Sequence, residues 1–337
     1  MDIFVTFDYE LFFGNKIGSA ENCILAPTNK LIKLAEKYNA RFTFFVDVLY
    51  LMKLSEYSFV TELNKDFTSV VIQLKELINH GHDIQLHLHT HWINAVYENG
   101  WKLDYDNYRI HNFSEEEIDK IVRTSIIFLE NITGQKVFAF RAGGWCLQPF
   151  SRLKSAFLKH GIKLDSTVFY KGYNQSPTNL YDFRTSPDLD VWNFNNDPVK
   201  PEPNGEFTEL PISSCFVSPL FFFKMVMQKK LFPQKHKNAG NGKGITNTKI
   251  QLLRLLFTPT YTAVSCDGYK SSMLEKIYNR YASSGKNNFV IIGHPKLLSA
   301  YALDKLENLL SKAAKQGHQF LGIQDTFGAK AISQYVF

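Results

Sequence analysis

The sequence predicts an α/β fold, a parallel sheet or (β/α) barrel, and three observations predict it. Short buried strands alternate with amphipathic helices through the first half of the chain. Acids, histidines and an arginine recur where those strands end, which is where barrel enzymes carry their chemistry. The 337 residues are enough for a barrel of roughly 250 residues plus a long insertion.

Composition supports a large core. Hydrophobic residues make up 45% and charged residues 21%, with 29 Phe and 16 Tyr, the profile of a soluble globular protein in which disorder is expected only locally. Cys23, Cys146, Cys215 and Cys266 are far apart in sequence, so they read neither as a disulfide framework nor as a zinc knuckle, and a reducing compartment is expected. Met1 leads directly into Asp2 and a strand, without a basic region and apolar run, so no secretory signal is expected. No apolar run reaches the ~18 residues of a membrane span. The expected location is cytoplasmic, with peripheral contact at the inner face of a membrane as an option opened by the charge pattern.

That pattern is uneven. Net charge is +6, but Leu210 to Cys266 contains no Asp or Glu while carrying Lys224, Lys229, Lys230, Lys235, Lys237, Lys243, Lys249 and Arg254, so one segment holds the whole excess. Such asymmetry points to an anionic partner for the segment, with a solvated basic loop as the plainer alternative.

Taken in order, Ile3 to Phe7 is an apolar strand that ends in Asp8-Tyr9-Glu10, two acids able to share one face. Thr28 to Asn39 has helical spacing, and Ala40 to Val46 returns to strand. Val70 to Asn79 repeats the helix, His80-Gly81 stops it, and Asp83 to Leu86 is the next strand. It enters a cluster: His80, His82, His87, His89 and His91 are five of the ten histidines. On a continuing strand His87, His89 and His91 face one side; in a helical turn His87 and His91 pair instead, and either arrangement suits a metal.

The aromatic segment from Trp92 to Phe113 reads as a cover over the sheet end rather than a sugar platform. Ser114 and Glu117 form a capping box that opens a helix to Asn131, ended by Gly134. Lys136 to Phe140 is a strand running into Arg141-Ala142-Gly143-Gly144-Trp145, where paired glycines leave amides free to face an oxyanion. A helix to Lys159 and a short strand ending at Asp165 follow. Tyr170 to Asn204 reads as loop, Phe207 to Pro211 as strand, and Ala239 to Gly244 as a flexible tip. Helices are expected over Lys249 to Phe257, Ser271 to Ala282 and Leu303 to Lys315. The strand Asn288 to Gly293 ends in His294, and Phe320 to Ile323 closes the architecture.

Read together, the strand ends resemble the polysaccharide deacetylases, the NodB homology domain of carbohydrate esterase family 4, and in particular the surface-polysaccharide biosynthesis branch. Five motifs match in order: Thr6 to Glu10, Gly81 to His91, Arg141 to Trp145, Asp165, and Ile291 to His294. The match spans residues 2–170 and 286–323. Two departures stand out: the family's adjacent aspartates are here Asp8 and Glu10 with Tyr9 between them, and the third motif lacks its Pro and Tyr.

The resemblance implies a distorted (β/α) barrel of about seven strands, one catalytic domain over 1–337 with an insertion at 171–285 before the last catalytic strand. It implies one divalent metal, Zn²⁺, bound by Glu10, His87 and His91, with Asp8 as general base held ionised by Arg141. His294 would protonate the leaving amine, oriented by Asp165, and the turn at Gly144 and Trp145 would face the oxyanion and substrate. His82 would pack structurally and His89 would lie outside the ligand set. The implied substrate is an N-acetylated sugar, free or nucleotide- or lipid-linked, rather than a nucleic acid. Two rivals remain: hydrolysis of a linear or cyclic amide such as an allantoin-like compound, and a catalytically silent carbohydrate-binding relative, which retention of Asp8 and His294 disfavours.

Overall fold

Apolar residues on both faces of a strand suit a parallel sheet covered by helices, and the first strand, Asp2–Tyr9, is buried from Ile3 onward. In this computed structural model, which describes residues 1–176, 178–244 and 256–329, the chain divides into two compact units: Met1–Ala40 with Ile212–Phe320, and Arg41–Pro211 with Leu321–Phe337.

In the second unit the strands lie in the order Trp192–Phe194, Phe207–Glu209, Leu164–Asp165, Ala139–Ala142, Asp83–Leu88, Phe42–Asp47. All pair in parallel except Trp192–Phe194, the antiparallel edge. In the first unit Asp2–Tyr9 pairs in parallel with Asn288–Gly293 and with the short Gln319–Phe320. Parallel strands joined through helices require crossover connections, and the helices Ala26–Lys37, Thr61–Asn79, Glu115–Thr133, Ser151–His160 and Ala300–Lys315 supply them. The fold class is the α/β, distorted (β/α)-barrel type that the sequence predicts.

Local chemistry explains where elements stop. The Ser114 hydroxyl accepts from the Glu117 amide while the Glu117 carboxylate accepts from the Ser114 amide at 2.8 Å, a complete capping box. Removing such a cap costs about 0.5–2 kcal/mol. Gly134 ends that helix at φ +70°, and Gly81 follows the Thr61–Asn79 helix at φ +78°. That helix begins nine residues before Val70, where its polar first turns hide the apolar spacing, and a further helix, Val48–Glu56, follows the second strand.

Several expectations are corrected. Tyr170 to Asn204 is not all loop: it holds the hairpin Tyr173–Ser176 with Asn179–Asp182 and the edge strand Trp192–Phe194. Strands this short show no readable period, and tertiary packing makes them. Phe194 and Phe207 each lie 4.8 Å from the Phe150 ring, and burying a Phe is worth about 1.5–3 kcal/mol. The glycine-rich tip at Ala239 to Gly244 is tied down, since the Gly240 amide donates to the Lys296 carbonyl at 2.9 Å and the Lys243 amide to the Lys16 carbonyl at 2.6 Å. A Cβ on Gly240 would sit 2.6 Å from the Phe12 ring, so glycine there serves close packing. Ser271 to Ala282 is a 3-10 turn, Gly268–Met273, running into the helix Leu274–Ser283. The helix expected over Lys249 to Phe257 lies outside the described residues over 249–255. Among the described residues no helix is long and apolar enough to cross a membrane.

Residues 171–285 supply the strand Phe207–Glu209 in one unit, and in the other the antiparallel pair Ser214–Val217 with Thr260–Ala263.

Candidate active site

In the first unit, register gathers a group of acids around His294. The first strand pairs with Asn288–Gly293 from Asp2↔Asn288 to Phe7↔Gly293, so one residue further on His294 comes alongside Asp8. Side chains alternate along the strand, which puts Asp8 and Glu10 on one side and Tyr9 on the other. Tyr9 is fully buried, and burial pushes its phenol well above the usual range, keeping it neutral. Gly293 is required because a Cβ there would meet the Cys266 sulfur at 2.2 Å.

The close approach of Cys266 brings up its neighbour. Ser265 bridges to Ile292 in parallel, and the Cys266 amide donates to the Ile292 carbonyl at 3.0 Å, so Asp267 arrives beside His294. Asp267 Oδ1 accepts from the His294 amide and Oδ2 lies against His294 Nδ1, both at 2.8 Å. A carboxylate can only accept, so Nδ1 carries the proton and Nε2 faces the acids: Asp8 Oδ2 at 3.6 Å and Glu10 Oε1 at 3.5 Å. Burial opposes charge on His294, but Asp267 and then Asp8 and Glu10 outweigh it and raise its pKa. Burial likewise opposes ionisation of Asp267, and the facing imidazole holds its carboxyl below the usual range. Lys296, one turn on, donates to Glu10 Oε1 at 2.9 Å and to the Leu11 carbonyl at 2.5 Å, with both charged side chains almost fully buried.

A separate group, of imidazoles, stands on three neighbouring strands of the second unit. Asp47 pairs in register with His87, and His87 with Arg141, so the three lie in a row across the strand ends. His87 Nδ1 is 2.7 Å from the Arg141 carbonyl, which fixes its proton there and presents Nε2 as the lone-pair atom. His87 Nε2 lies 3.1 Å from His89 Nε2, and the His89 amide donates to Asp47 Oδ1 at 3.3 Å. A Cβ on Gly143 would sit 2.8 Å from the His89 ring, so this glycine makes room for an imidazole. The strand runs on to Leu88, and a 3-10 turn follows at Thr90–Trp92, so no helical turn pairs His87 with His91. His91 instead stacks on Tyr108, ring centroids 5.4 Å apart. Trp92 and Tyr108 are buried, with Trp92 packed on Tyr50 at 4.9 Å, the covering role expected of this segment.

Arg141 is fully buried, its Nε donating to the Ser166 carbonyl at 2.7 Å and its guanidinium lying 4.2 Å from the Phe45 ring centroid. Asp165 is held within its own unit. It accepts from the Thr167 amide at 2.9 Å and the Thr167 hydroxyl at 2.8 Å, and it is the register partner of Glu209. Burial pushes Asp165 up to about 6, against the pull of its hydrogen bonds and Arg141. Burial, and then the charge of Asp165, hold Glu209 well above the carboxylate range. The strand ending at Asp165 pairs with Phe207–Glu209, while Ser265 to Asp267 runs beside the last strand, so the carboxylate bonded to His294 is that of Asp267.

Gly144 takes φ +60° and Trp145 φ +59° in the Gly143–Trp145 turn. The Gly144 carbonyl accepts from Asn179 Nδ2 at 3.0 Å, and Trp145 packs on Tyr181 and Phe169 at about 6 Å. His82 packs as expected, its ring stacked 5.6 Å from Phe42 and its Nδ1 accepting from the Phe42 amide at 3.1 Å.

Four participants were not singled out in the sequence: Asp47, Glu209, Asp267 and Lys296. Asp47 carries a usable signal, an acid directly after an apolar strand, as with Asp8. Glu209 and Asp267 bound the acid-free segment on either side; Glu209 is buried, and the Asp267 side chain is only 14% exposed.

No protein-family model matches the chain, and none of the curated proteins does. Solved structures do. The crystal structure of Puue allantoinase aligns over 99% of this chain and 91% of its own, with 13% identity and a TM-score of 0.51. The chain shares the fold of that allantoinase. A family 4 acetyl xylan esterase from Clostridium thermocellum in complex with a cobalt ion aligns over 98% of this chain and 92% of its own, at 10% identity and TM-score 0.41. A polysaccharide deacetylase from Bacillus cereus aligns over 95% and 90%, at 11% identity and TM-score 0.41.

Proposed function

We propose that the protein is a metal-dependent amide hydrolase of the polysaccharide deacetylase type, removing the N-acetyl group of a sugar that is free or linked to a nucleotide or lipid. The observation that carries this reading is the group of Asp8, Glu10 and His294, whose ligand atoms lie within 4.8 Å of one another, with Asp267 clamped behind the imidazole. A base, an acid and an orienting carboxylate are the parts that hydrolysis of an unactivated amide needs.

The donor set suits a divalent ion such as Zn²⁺. His87 has its Nδ1 engaged by a carbonyl, the arrangement that holds a metal-ligating histidine in place, and its Nε2 converges with that of His89. We take His87 as a ligand, with His89 rather than His91 as the second imidazole on that convergence, and give Glu10 the carboxylate role that the resemblance implies. When bound, such an ion lowers the pKa of water and polarises a carbonyl. Asp8 takes the proton of the attacking water. His294 Nε2 delivers a proton to the leaving nitrogen as the C–N bond breaks, giving acetate and the amine, while Asp267 stabilises the charged imidazole. Arg141 keeps the buried carboxyl groups near it in partial balance, and the Gly143–Trp145 turn offers main-chain amides to the developing oxyanion.

Hydrolysis of a cyclic amide is the second reading, because an allantoinase has the same fold. A product assay on N-acetylated sugars and allantoin side by side separates the two. Acetate release from the sugars is expected; ring-opened product from allantoin with no acetate contradicts the deacetylase reading.

A further inference from the structure

The helix Pro219–Leu231 is turned the wrong way for a globular surface. Its buried residue is Phe222, while Leu220, Phe223, Met227 and Leu231, spaced three and four apart along another face, are exposed by 57%, 56%, 42% and 60%. Counting 100° per residue, Lys224 and Lys230 fall on the two edges of this stripe. The apolar surface continues at both ends of the helix, through Phe216 at 54% exposure in the preceding strand and Phe232 at 52% after it. Phe257, at 77%, stands just before the strand Thr260–Ala263 that pairs with the strand of Phe216. Contiguous exposed apolar surface of this kind marks an interaction site.

Charge selects the occupant. The helix lies inside the 57 residues from Leu210 to Cys266 that contain no Asp or Glu, and Lys235 and Lys237 follow its edge lysines in the sequence. A second copy seated symmetrically on this face would bring lysine against lysine. A planar anionic surface with an apolar interior satisfies both features, taking the stripe into the acyl boundary and the lysines among the headgroups. We propose that the Pro219–Leu231 helix docks the protein on an anionic lipid bilayer, lying in the plane of the interface. The proposal goes beyond the hydrolytic reading and stands independently of it.

Sedimentation with vesicles tests it. The wild-type chain is expected to pellet with phosphatidylcholine vesicles containing phosphatidylglycerol and to stay in solution with phosphatidylcholine alone. High salt is expected to release it, since Lys–headgroup attraction is screened within about 3 Å at 1 M. Phe223→Ser with Met227→Ser, and separately Lys224→Gln with Lys230→Gln, should each weaken binding about tenfold or more. Because these side chains are exposed, thermal unfolding of both variants should match the parent. A wild-type chain that ignores the anionic vesicles overturns the proposal, as do variants that bind like the parent. So does light scattering that shows a dimer split by the Phe223 and Met227 changes without any vesicle binding.

Discussion

Asp267 grips His294 at two points, its Oδ1 on the main-chain amide and its Oδ2 on Nδ1, each at 2.8 Å. One carboxylate thus fixes both the position of the residue and the tautomer of its ring, leaving Nε2 to face Asp8 and Glu10. Replacing Asp267 with Asn keeps the shape and removes the charge, so turnover should fall about a hundredfold while metal content stays unchanged. Asp165→Asn should cost far less, because Asp165 is bonded to Thr167 and paired with Glu209. Steady-state rates of the two variants, each with metal measured, decide the matter; a dead Asp165 variant beside an active Asp267 variant reverses the assignment.

Lys296 bears on how Glu10 works. The ion pair at 2.9 Å is buried on both sides, so Lys296→Met removes the positive charge that Glu10 Oε1 meets at 2.9 Å and should cost about 3–5 kcal/mol in the metal-free protein. If Glu10 is a metal ligand, the added ion replaces the lost charge. Zn²⁺ should therefore stabilise the variant more than the parent in denaturant unfolding. Equal stabilisation of the two would remove Glu10 from the ligand set.

The two candidate imidazole partners of His87 separate by substitution. His89 Nε2 is 3.1 Å from His87 Nε2, whereas the His91 ring is stacked on Tyr108. His87→Ala and His89→Ala should each lower metal affinity about tenfold or more in a chelator competition, and His91→Ala should lower it less. The opposite order of His89 and His91 restores the ligand pair implied by the resemblance.

His82 gives a pH-dependent prediction away from the site. Burial, with a small contribution from His80, lowers its pKa from 6.5 to about 4. Between those values the unfolded chain binds a proton that the folded chain excludes, so stability falls as pH drops through this window and the loss is complete below about 4. His82→Gln keeps an acceptor for the Phe42 amide and should flatten the acid limb by up to about 3 kcal/mol. Urea midpoints measured from pH 7 to pH 4 check this, and parallel curves for variant and parent refute it.

Much of the fold was legible because buried parallel strands leave a strong signal: the strand Asn288–Gly293 is built on the apolar run Phe289 to Ile292. The capping box at Ser114 and the stop at Gly81 were legible for the same reason, since both are local chemistry. The edge strand Trp192–Phe194 was not, because three residues carry no period and only the contacts of Phe194 with Phe150 and Phe207 create it. The site divides the same way. Asp8, Glu10, His87 and His294 sit at strand ends that the sequence announces. Asp267 follows a segment that reads as basic surface, and its approach to His294 depends on the bridge from Ser265 to Ile292, a long-range pairing with no local trace.

Metal dependence of amide hydrolysis is the central claim. Elemental analysis of the purified protein, followed by chelation and stepwise return of Zn²⁺ during acetate release from N-acetylated sugars, measures it directly. The account predicts about one ion per chain, activity lost on chelation and regained in proportion to occupancy, and an Asp8→Asn variant that binds the ion without turning over. Full acetate release from metal-free protein, or an Asp8→Asn variant as active as the parent, would contradict it.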